Sequence, residues 1–439
     1  MVKVVMAGGG TAGHVNPLLA TAAQLRDLGC EVSVLGTAQG LEADLVPAAG
    51  FPLVEIPRVP LPRRPSLEFF SLPSRWRSAR RLCEEALEGA DALVGFGGYV
   101  STPAYSAAHR TGVPVVVHEQ NARPGIANKV GARRARVVAL TFDSSPLRAK
   151  RGRTVTTGLP LRAAIASLAQ RRRDEEGARR SREEAASRLG IDPGAHTLLV
   201  TGGSLGALHI NEQMTAAAAA LPDGAQVVHL TGRGKDAPVR EAVRAAGVGE
   251  RWLVIDYLSQ MEDALAVADL VVCRSGAGTV AEMEALGLPC VYVPLPIGNG
   301  EQRLNAADTV AAGGGRLVPD GDLTAADVVS FTDLLADADQ WLDDLARRIR
   351  LIRDNPALQD ALWQHSTTWT AVIERHLPDD GLTARARARA ITGVAIEAAL
   401  AWPGPANRPD RTSAASLREH LTRALAVLRT TPSEPSRPA

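Results

Sequence analysis

From Val2 to about residue 330 the chain alternates two hydrophobic patterns. Short runs of consecutive apolar residues, often closed by glycine, are followed by longer stretches in which apolar positions recur every three or four residues. The clearest runs are Val2–Ala7, Glu31–Leu35, Ala92–Gly95, Val113–His118, Val137–Leu140, Thr197–Thr201, Gln226–Leu230, Leu270–Cys273 and Cys290–Pro294. Unbroken Val, Leu and Ile suit strands buried on both faces, as in a parallel sheet whose crossovers are helices. The series runs twice: the first ends near TGLPLR (157–162), and the second opens at HTLLVTGGSLGA (196–207). The pattern predicts an α/β chain with two Rossmann-like domains. Between them, AQRRRDEEGARRSREEAASRLG holds seven arginines and five carboxylates. That mixture reads as an exposed interdomain helix, not a nucleic-acid site.

Past residue 340 the pattern changes. Only three of 40 glycines lie there, against four of six tryptophans, and helical periodicity replaces the apolar runs. The predicted division is therefore 1–162, 163–338, an all-helical module over 339–430, and a disordered tail over 431–439.

Composition narrows the function little. The chain is 45% hydrophobic and 22% charged with a net charge of +1, so its overall charge argues for no nucleic-acid partner. Cys30, Cys83, Cys273 and Cys290 form no CxxC pair, which predicts reduced, mostly buried thiols. No run approaches the roughly 18 apolar residues of a spanning helix, and the N-terminus opens directly into a strand. The expectation is a soluble protein, or one lying on a membrane. One segment departs from the average. Residues 58–81 carry seven arginines and one glutamate beside Leu61, Leu67, Phe69, Phe70, Leu72 and Trp76. Such a mixture suits docking on an anionic leaflet; the alternative is a solvated helix with ordinary core aromatics.

Three strand-to-helix glycine loops carry the candidate chemistry. In GGGTAGHVNP, Gly8-x-Gly10-x-x-Gly13 has dinucleotide-fingerprint spacing, but no carboxylate ends the second strand, VSVLGTAQG. This argues against a nicotinamide enzyme. His14 follows the last glycine and could be a plain helix N-terminal residue. The second loop, VTGGSLGALHINE (200–212), brings Gly202, Gly203 and Gly206 around Ser204. In the third, Cys273-Arg274-Ser275-Gly276-Ala277-Gly278 turns into a helix expected after Thr279. There Glu282 either completes a capping box with Thr279 or grips a ribose diol. Phosphate-type loops in both halves predict a ligand cleft between the domains.

The motifs GGGTAGHVNP, GFGGYVSTP (95–103), HEQNARPGIANK (118–129), GGSLGALHINE, CRSGAGTVAE and LPIGNGEQRLNA (295–306) together resemble the MurG family, in family order over roughly 1–335. The resemblance implies a GT-B fold. The implied reaction is inverting transfer of N-acetylglucosamine from UDP-GlcNAc to lipid I, the undecaprenyl-diphospho-MurNAc-pentapeptide, on the cytoplasmic face of the membrane, with no cofactor or metal. It implies His14 as general base, with Thr11, Ala12, Gly13 and Asn121 at the transferring sugar. Arg162 and Ser204 fall at the diphosphate, Leu258 at uracil, and Ala277, Gly278 and Thr279 along the diphosphate. Glu282 falls at the ribose, and Glu301, Gln302 and Asn305 at the sugar. Gly97, Gly98 and Tyr99 fall on the acceptor side. The D-x-D strings Asp320-Gly321-Asp322 and Asp337-Ala338-Asp339 do not follow strands beside these loops.

Leu159, Leu205 and Glu301 depart from residues common in the family. So does the C-terminus: residues 340–430 resemble the helical ligand-binding half of TetR-type regulators, without a DNA-reading helix-turn-helix. A family helix crossing back to the first domain would fall around 334–350. A transferase using a soluble acceptor, and a sugar-nucleotide or small-ligand sensor, are the alternative readings.

Overall fold

The computed structural model describes residues 1–59, 72–203, 206–296, 300–312 and 314–336, with side chains through residue 331. The chain divides into two compact units, Met1–Leu335 and Ala336–Ala439. The described residues belong to the first, apart from Ala336 at its edge. The helical module, the tail, the 337–339 string, most of the expected crossing helix, Ser204, Leu205, and Leu61 to Phe70 of the arginine-rich stretch lie outside the described residues.

The first sheet comprises β1 (Lys3–Gly8), β2 (Glu31–Gly36), β3 (Leu53–Glu55), β4 (Ala92–Gly97), β5 (Val115–Glu119), β6 (Val137–Leu140) and β7 (Arg153–Thr156). Its order is β3-β2-β1-β4-β5-β6-β7, parallel throughout. The second comprises β8 (His196–Thr201), β9 (Ala225–Leu230), β10 (Trp252–Ile255), β11 (Leu270–Cys273), β12 (Cys290–Tyr292) and β13 (Gly315–Leu317). Its order is β10-β9-β8-β11-β12-β13, again parallel. All nine apolar runs are strands. Along β1, Val5 and Ala7 enter one core with Leu35, Leu93 and Val117, while Val4 and Met6 enter another with Leu18, Val32 and Val34. Burial on both faces is why the run has no polar alternation.

Helices α1 (Ala12–Asp27), α2 (Leu41–Ala48), α3 (Leu72–Ala86), α4 (Gly98–Thr111) and α5 (Ile126–Gly131) belong to the first series. Next come α6 (Ala163–Arg171) and α7 (Glu175–Leu189), then α8 (Leu208–Ala216), α9 (Asp236–Ala245), α10 (Met261–Val267) and α11 (Ala277–Leu286). The described helices end with α12 (Glu301–Asn305), α13 (Ala307–Ala311) and α14 (Ala325–Ala336). The mixed-charge segment is more integrated than expected. Asp174 caps α7 by accepting the Gly177 N–H at 2.7 Å, and Ala185 and Ala186 are buried. Arg188 pairs with Asp263 at 2.6 Å, and Arg182 pairs with Asp269 at 2.8 Å. One helix face is thereby fastened to the second half.

In each sheet the strand order reverses between two central strands, β1 and β4 in the first and β8 and β11 in the second. Loops leaving such strands part to opposite faces and open a crevice at the carboxyl ends. All three glycine loops leave strands at these two points.

Candidate active site

The loops after β1 and β4 pack backbone against backbone. Gly8 pairs with Gly97 just past a register shift in the β1/β4 ladder, and a Cβ on Gly98 would stand 2.4 Å from the Gly9 carbonyl oxygen. Gly98 also has φ +76°, so close approach and conformation both require glycine here. His14 lies in the first turn of α1, half-buried at this seam. Its Nδ1 is 3.2 Å from the Gly9 carbonyl oxygen and 3.0 Å from Thr11 Oγ1. A carbonyl can only accept, so this contact assigns the proton to Nδ1 and leaves a lone pair on Nε2. A Cβ on Gly97 would meet Nε2 at 3.3 Å and Asn128 Nδ2 at 3.2 Å. Burial lowers the His14 pKa from its ordinary 6.5, against the raising effects of the Gly9 contact and Glu42. The ring is built to be neutral and basic at Nε2.

Behind this loop stands a residue the sequence reading missed. Glu42, at the start of α2, is fully buried and has no cationic partner among the described residues. Its carboxylate accepts from Gly10 N–H (2.9 Å), Thr37 Oγ1 (2.8 Å), Thr37 N–H (3.2 Å) and the Tyr99 hydroxyl (3.3 Å). Burial pushes its pKa up, but these donors outweigh it and hold the carboxyl below its ordinary value. A Cβ on Gly9, Gly36 or Gly40 would come within 2.7 Å of Glu42 side-chain atoms. That crowding explains the spacing of glycines around GTAQGLE better than any phosphate does. The Tyr99 hydroxyl faces Glu42 and Thr37, while its ring packs on Gly10, where a Cβ would stand 2.8 Å away.

The loop after β5 is organised by a second buried carboxylate. Glu119 accepts from Asn121 N–H (3.0 Å), Gly125 N–H (3.0 Å) and Asn128 Nδ2 (2.9 Å). Asn128 Oδ1 in turn accepts from the Tyr105 hydroxyl at 2.9 Å. Burial pushes the Glu119 carboxyl up and these donors oppose it. A buried carboxylate followed by Gln-Asn and a glycine turn was the available signal in HEQNARPGIANK.

On the second side, α11 begins at Ala277 with Gly276 as its N-cap. Thr279 is therefore inside the helix, and of the two readings of Glu282 the capping box does not form. Its partner residue, Glu282, instead pairs with Arg162 at 2.9 Å. Arg274 donates to the Val293 and Pro294 carbonyls (3.1 and 3.2 Å) and pairs with Asp320. Asp320 of the D-x-D string is thus committed to fixing the β11 loop.

A cleft of 1480 Å³ joins the two halves. Of the expected residues, Thr11, Ala12, Gly13, His14, Gly97, Gly98, Tyr99 and Asn121 line it from the first half. Arg162, Leu258, Ala277, Gly278, Thr279, Glu282 and Glu301 line it toward the second. Gln302 turns its Oε1 to the Leu295 N–H at 2.9 Å, and Asn305 is wholly buried. Neither is in the cleft wall.

Two Rossmann-like domains whose switch-point loops face one cleft define the GT-B architecture. Residues 4–140 match the glycosyltransferase family 28 N-terminal domain, and residues 197–347 its C-terminal domain. A UDP-N-acetylglucosamine–N-acetylmuramyl-(pentapeptide) pyrophosphoryl-undecaprenol N-acetylglucosamine transferase of Bifidobacterium longum is 50% identical over 353 residues. The match spans 76% of this chain and 89% of that protein. The Streptomyces coelicolor protein of the same name is 49% identical over 328 residues, 74% of this chain and 86% of that one. The crystal structure of Acinetobacter baumannii MurG superimposes with a TM-score of 0.61 at 28% identity, covering 76% of this chain and 91% of that chain. The chain belongs to the MurG family of glycosyltransferase family 28.

Proposed function

We infer that this chain transfers N-acetylglucosamine from UDP-GlcNAc to the C4 hydroxyl of MurNAc in lipid I, forming lipid II for peptidoglycan. The observation that carries the chemistry is the His14 ring: with Nδ1 engaged at the Gly9 carbonyl, 3.2 Å away, Nε2 is the free base. The acceptor oxygen attacks C1 of the donor sugar from the face opposite the leaving group, its proton passes to His14 Nε2, and UDP departs. The configuration at C1 inverts. Charge developing on the diphosphate is met by the N-terminal N–H groups of α11 at Ala277, Gly278 and Thr279. Ser204 would add to this from the β8 loop. Glu282 takes the ribose diol, the Leu258 backbone reads uracil, and Asn121 and the 301–305 helix flank the sugar. The acceptor diphosphate lies along Gly97 and Gly98, with Thr11, Ala12 and Gly13 at the reaction centre.

The acceptor is a lipid, and we place the enzyme peripherally on the cytoplasmic leaflet. In the described part of the arginine-rich stretch, Arg75 and Arg77 are exposed, which supports this reading. Leu72 and Trp76 pack against the core, and Arg80 and Arg81 pair with Glu84 and Glu85, so these groups also serve the fold. Beside them α5 exposes Ile126 (69%) and Val130 (41%), one helical turn apart. No described helix is long and apolar enough to cross a membrane.

The test is UDP release from UDP-GlcNAc with and without a lipid I analogue in detergent, for wild type and His14→Ala. Acceptor-dependent release that the variant loses is expected. Donor binding without acceptor-dependent release in the wild type would overturn the reading in favour of a sensor. Equal release with a water-soluble MurNAc acceptor lacking the lipid would remove the membrane assignment.

A further inference from the structure

The pairing of Arg162 with Glu282 gives Arg162 a different task from a diphosphate contact. Both its Nε (3.1 Å) and its Nη2 (2.9 Å) donate to the same oxygen, Glu282 Oε1. Among the described residues, Oε2 makes no hydrogen bond, and the Glu282 side chain lines the cleft with 17% exposure. Arg162 immediately precedes α6, and its neighbour Leu161 packs into the core shared with α6, α10 and α11. The guanidinium is thus anchored to the same body as Glu282, not to the opposite wall. Burial pushes the Glu282 carboxyl up, and Arg162 pulls it back down. Without the arginine, this carboxyl would drift toward its neutral form and lose its fixed orientation.

We propose that Arg162 is a positioning residue for ribose recognition: it pins one oxygen of Glu282 and aims the other at the vicinal diol of a ribonucleoside diphosphate. The inference rests on the UDP-GlcNAc reading above and deepens it. It assigns the ribo-over-deoxyribo choice to the Arg162–Glu282 ion pair. A carboxylate held at one oxygen presents both lone pairs of its second oxygen to two adjacent hydroxyls. A freely rotating or protonated carboxyl cannot offer both at once. Arg162 therefore acts on the donor through the sugar ring of the nucleoside, and its removal should leave the diphosphate contacts intact.

The experiment compares kcat/KM for UDP-GlcNAc and its 2′-deoxyuridine analogue, alongside inhibition by UDP and UMP, in wild type, Arg162→Gln, Arg162→Lys and Glu282→Gln. The wild type should prefer the ribonucleotide donor. Arg162→Gln should reduce that preference about tenfold, the scale of one charge-assisted hydrogen bond, with the UDP-to-UMP inhibition ratio kept within about twofold. Adding Glu282→Gln to Arg162→Gln should cost the preference little more. The opposite split, with ribo preference kept and the UDP-to-UMP ratio collapsed, would return Arg162 to the diphosphate and overturn the proposal; so would no change in either. If Arg162→Gln does not fold, Arg162→Lys keeps the charge but loses the two-point grip, and is read by the same ratios. A wild type that binds no UDP-GlcNAc at all removes the donor reading itself, an outcome distinct from either split.

Discussion

Asn121, in the loop after β5, and Asn305, at the end of α12, are hydrogen-bonded to each other, Asn305 Nδ2 to Asn121 Oδ1 at 3.2 Å. The same Asn305 accepts the Ala122 N–H at 2.9 Å and reaches the Ser275 carbonyl at 3.4 Å. With no exposure of its own, it joins the loop after β5 to the loop after β11. Two residues expected at the sugar are thus each other's partners.

Replacing Asn305 by alanine should orphan the buried Ala122 N–H and the Asn121 amide. The expected cost is about 1–3 kcal/mol, measured by denaturant unfolding. The same variant should raise the donor KM, because Asn121 loses the group that orients it. Unchanged stability and unchanged KM together would show that the bridge matters to neither.

The pH profile follows from His14. Burial holds its pKa below 6.5 in the free protein, so the base is neutral throughout the neutral range. Then kcat/KM should be flat near pH 7 and fall as the pH drops through the His14 pKa, with the acid limb lying below pH 6.5. His14→Ala should lose roughly 100- to 10,000-fold in kcat, and the residual rate should lose that limb. A limb that persists unchanged in His14→Ala belongs to another group.

The central strands were legible because burial on both faces leaves an uninterrupted apolar run. The four strands the pattern missed are β3, β7, β10 and β13, and these are the four sheet edges. Leu53 and Val54 of β3 are half-buried, Arg153 of β7 is exposed, and Arg316 of β13 is exposed. With one neighbour each, these three need little apolar sequence and leave little trace; the fourth, β10, is the wholly apolar run WLVI, and its omission has no such reason. The site divides in the same way. His14 and the glycines stand in contiguous motifs, but Glu42 acts on Gly10 from 32 positions away. Arg162 meets Glu282 across 120. Partnerships of that range have no local signature, and the local capping motif at Thr279 pointed elsewhere.

Glu42 makes a prediction about stability and acid. Its folded pKa lies below the ordinary carboxyl value of 4.5, so it stabilises the fold fully above that unfolded value. That contribution is lost as the pH falls through the folded value. Glu42→Gln should remove this part of the acid dependence. Glu42→Ala, which leaves the donors of Gly10, Thr37 and Tyr99 unpaired, should cost about 2–4 kcal/mol by denaturant unfolding. Acid unfolding of Glu42→Gln that matches the wild type would show the carboxylate contributes no linkage.

Two cleft glycines should respond to alanine in opposite ways. Gly98 has φ +76°, and a Cβ there would stand 2.4 Å from backbone oxygen of Gly9, with no flexible group to give way. Gly98→Ala should therefore destabilise by more than about 1 kcal/mol, pry the β1 and β4 loops apart, and raise the KM for a lipid I analogue while sparing the donor KM. Gly278 lies inside α11 with no atom within 4 Å of its would-be Cβ. Removing a helical glycine should stabilise by about 0.5–1 kcal/mol. The added methyl nevertheless enters the space proposed for the donor diphosphate, so Gly278→Ala should be the more stable protein and the poorer binder of UDP-GlcNAc. Thermal unfolding with and without UDP separates the two effects. A Gly278→Ala variant that is more stable and binds UDP as tightly as the wild type would move the diphosphate off the α11 N-terminus.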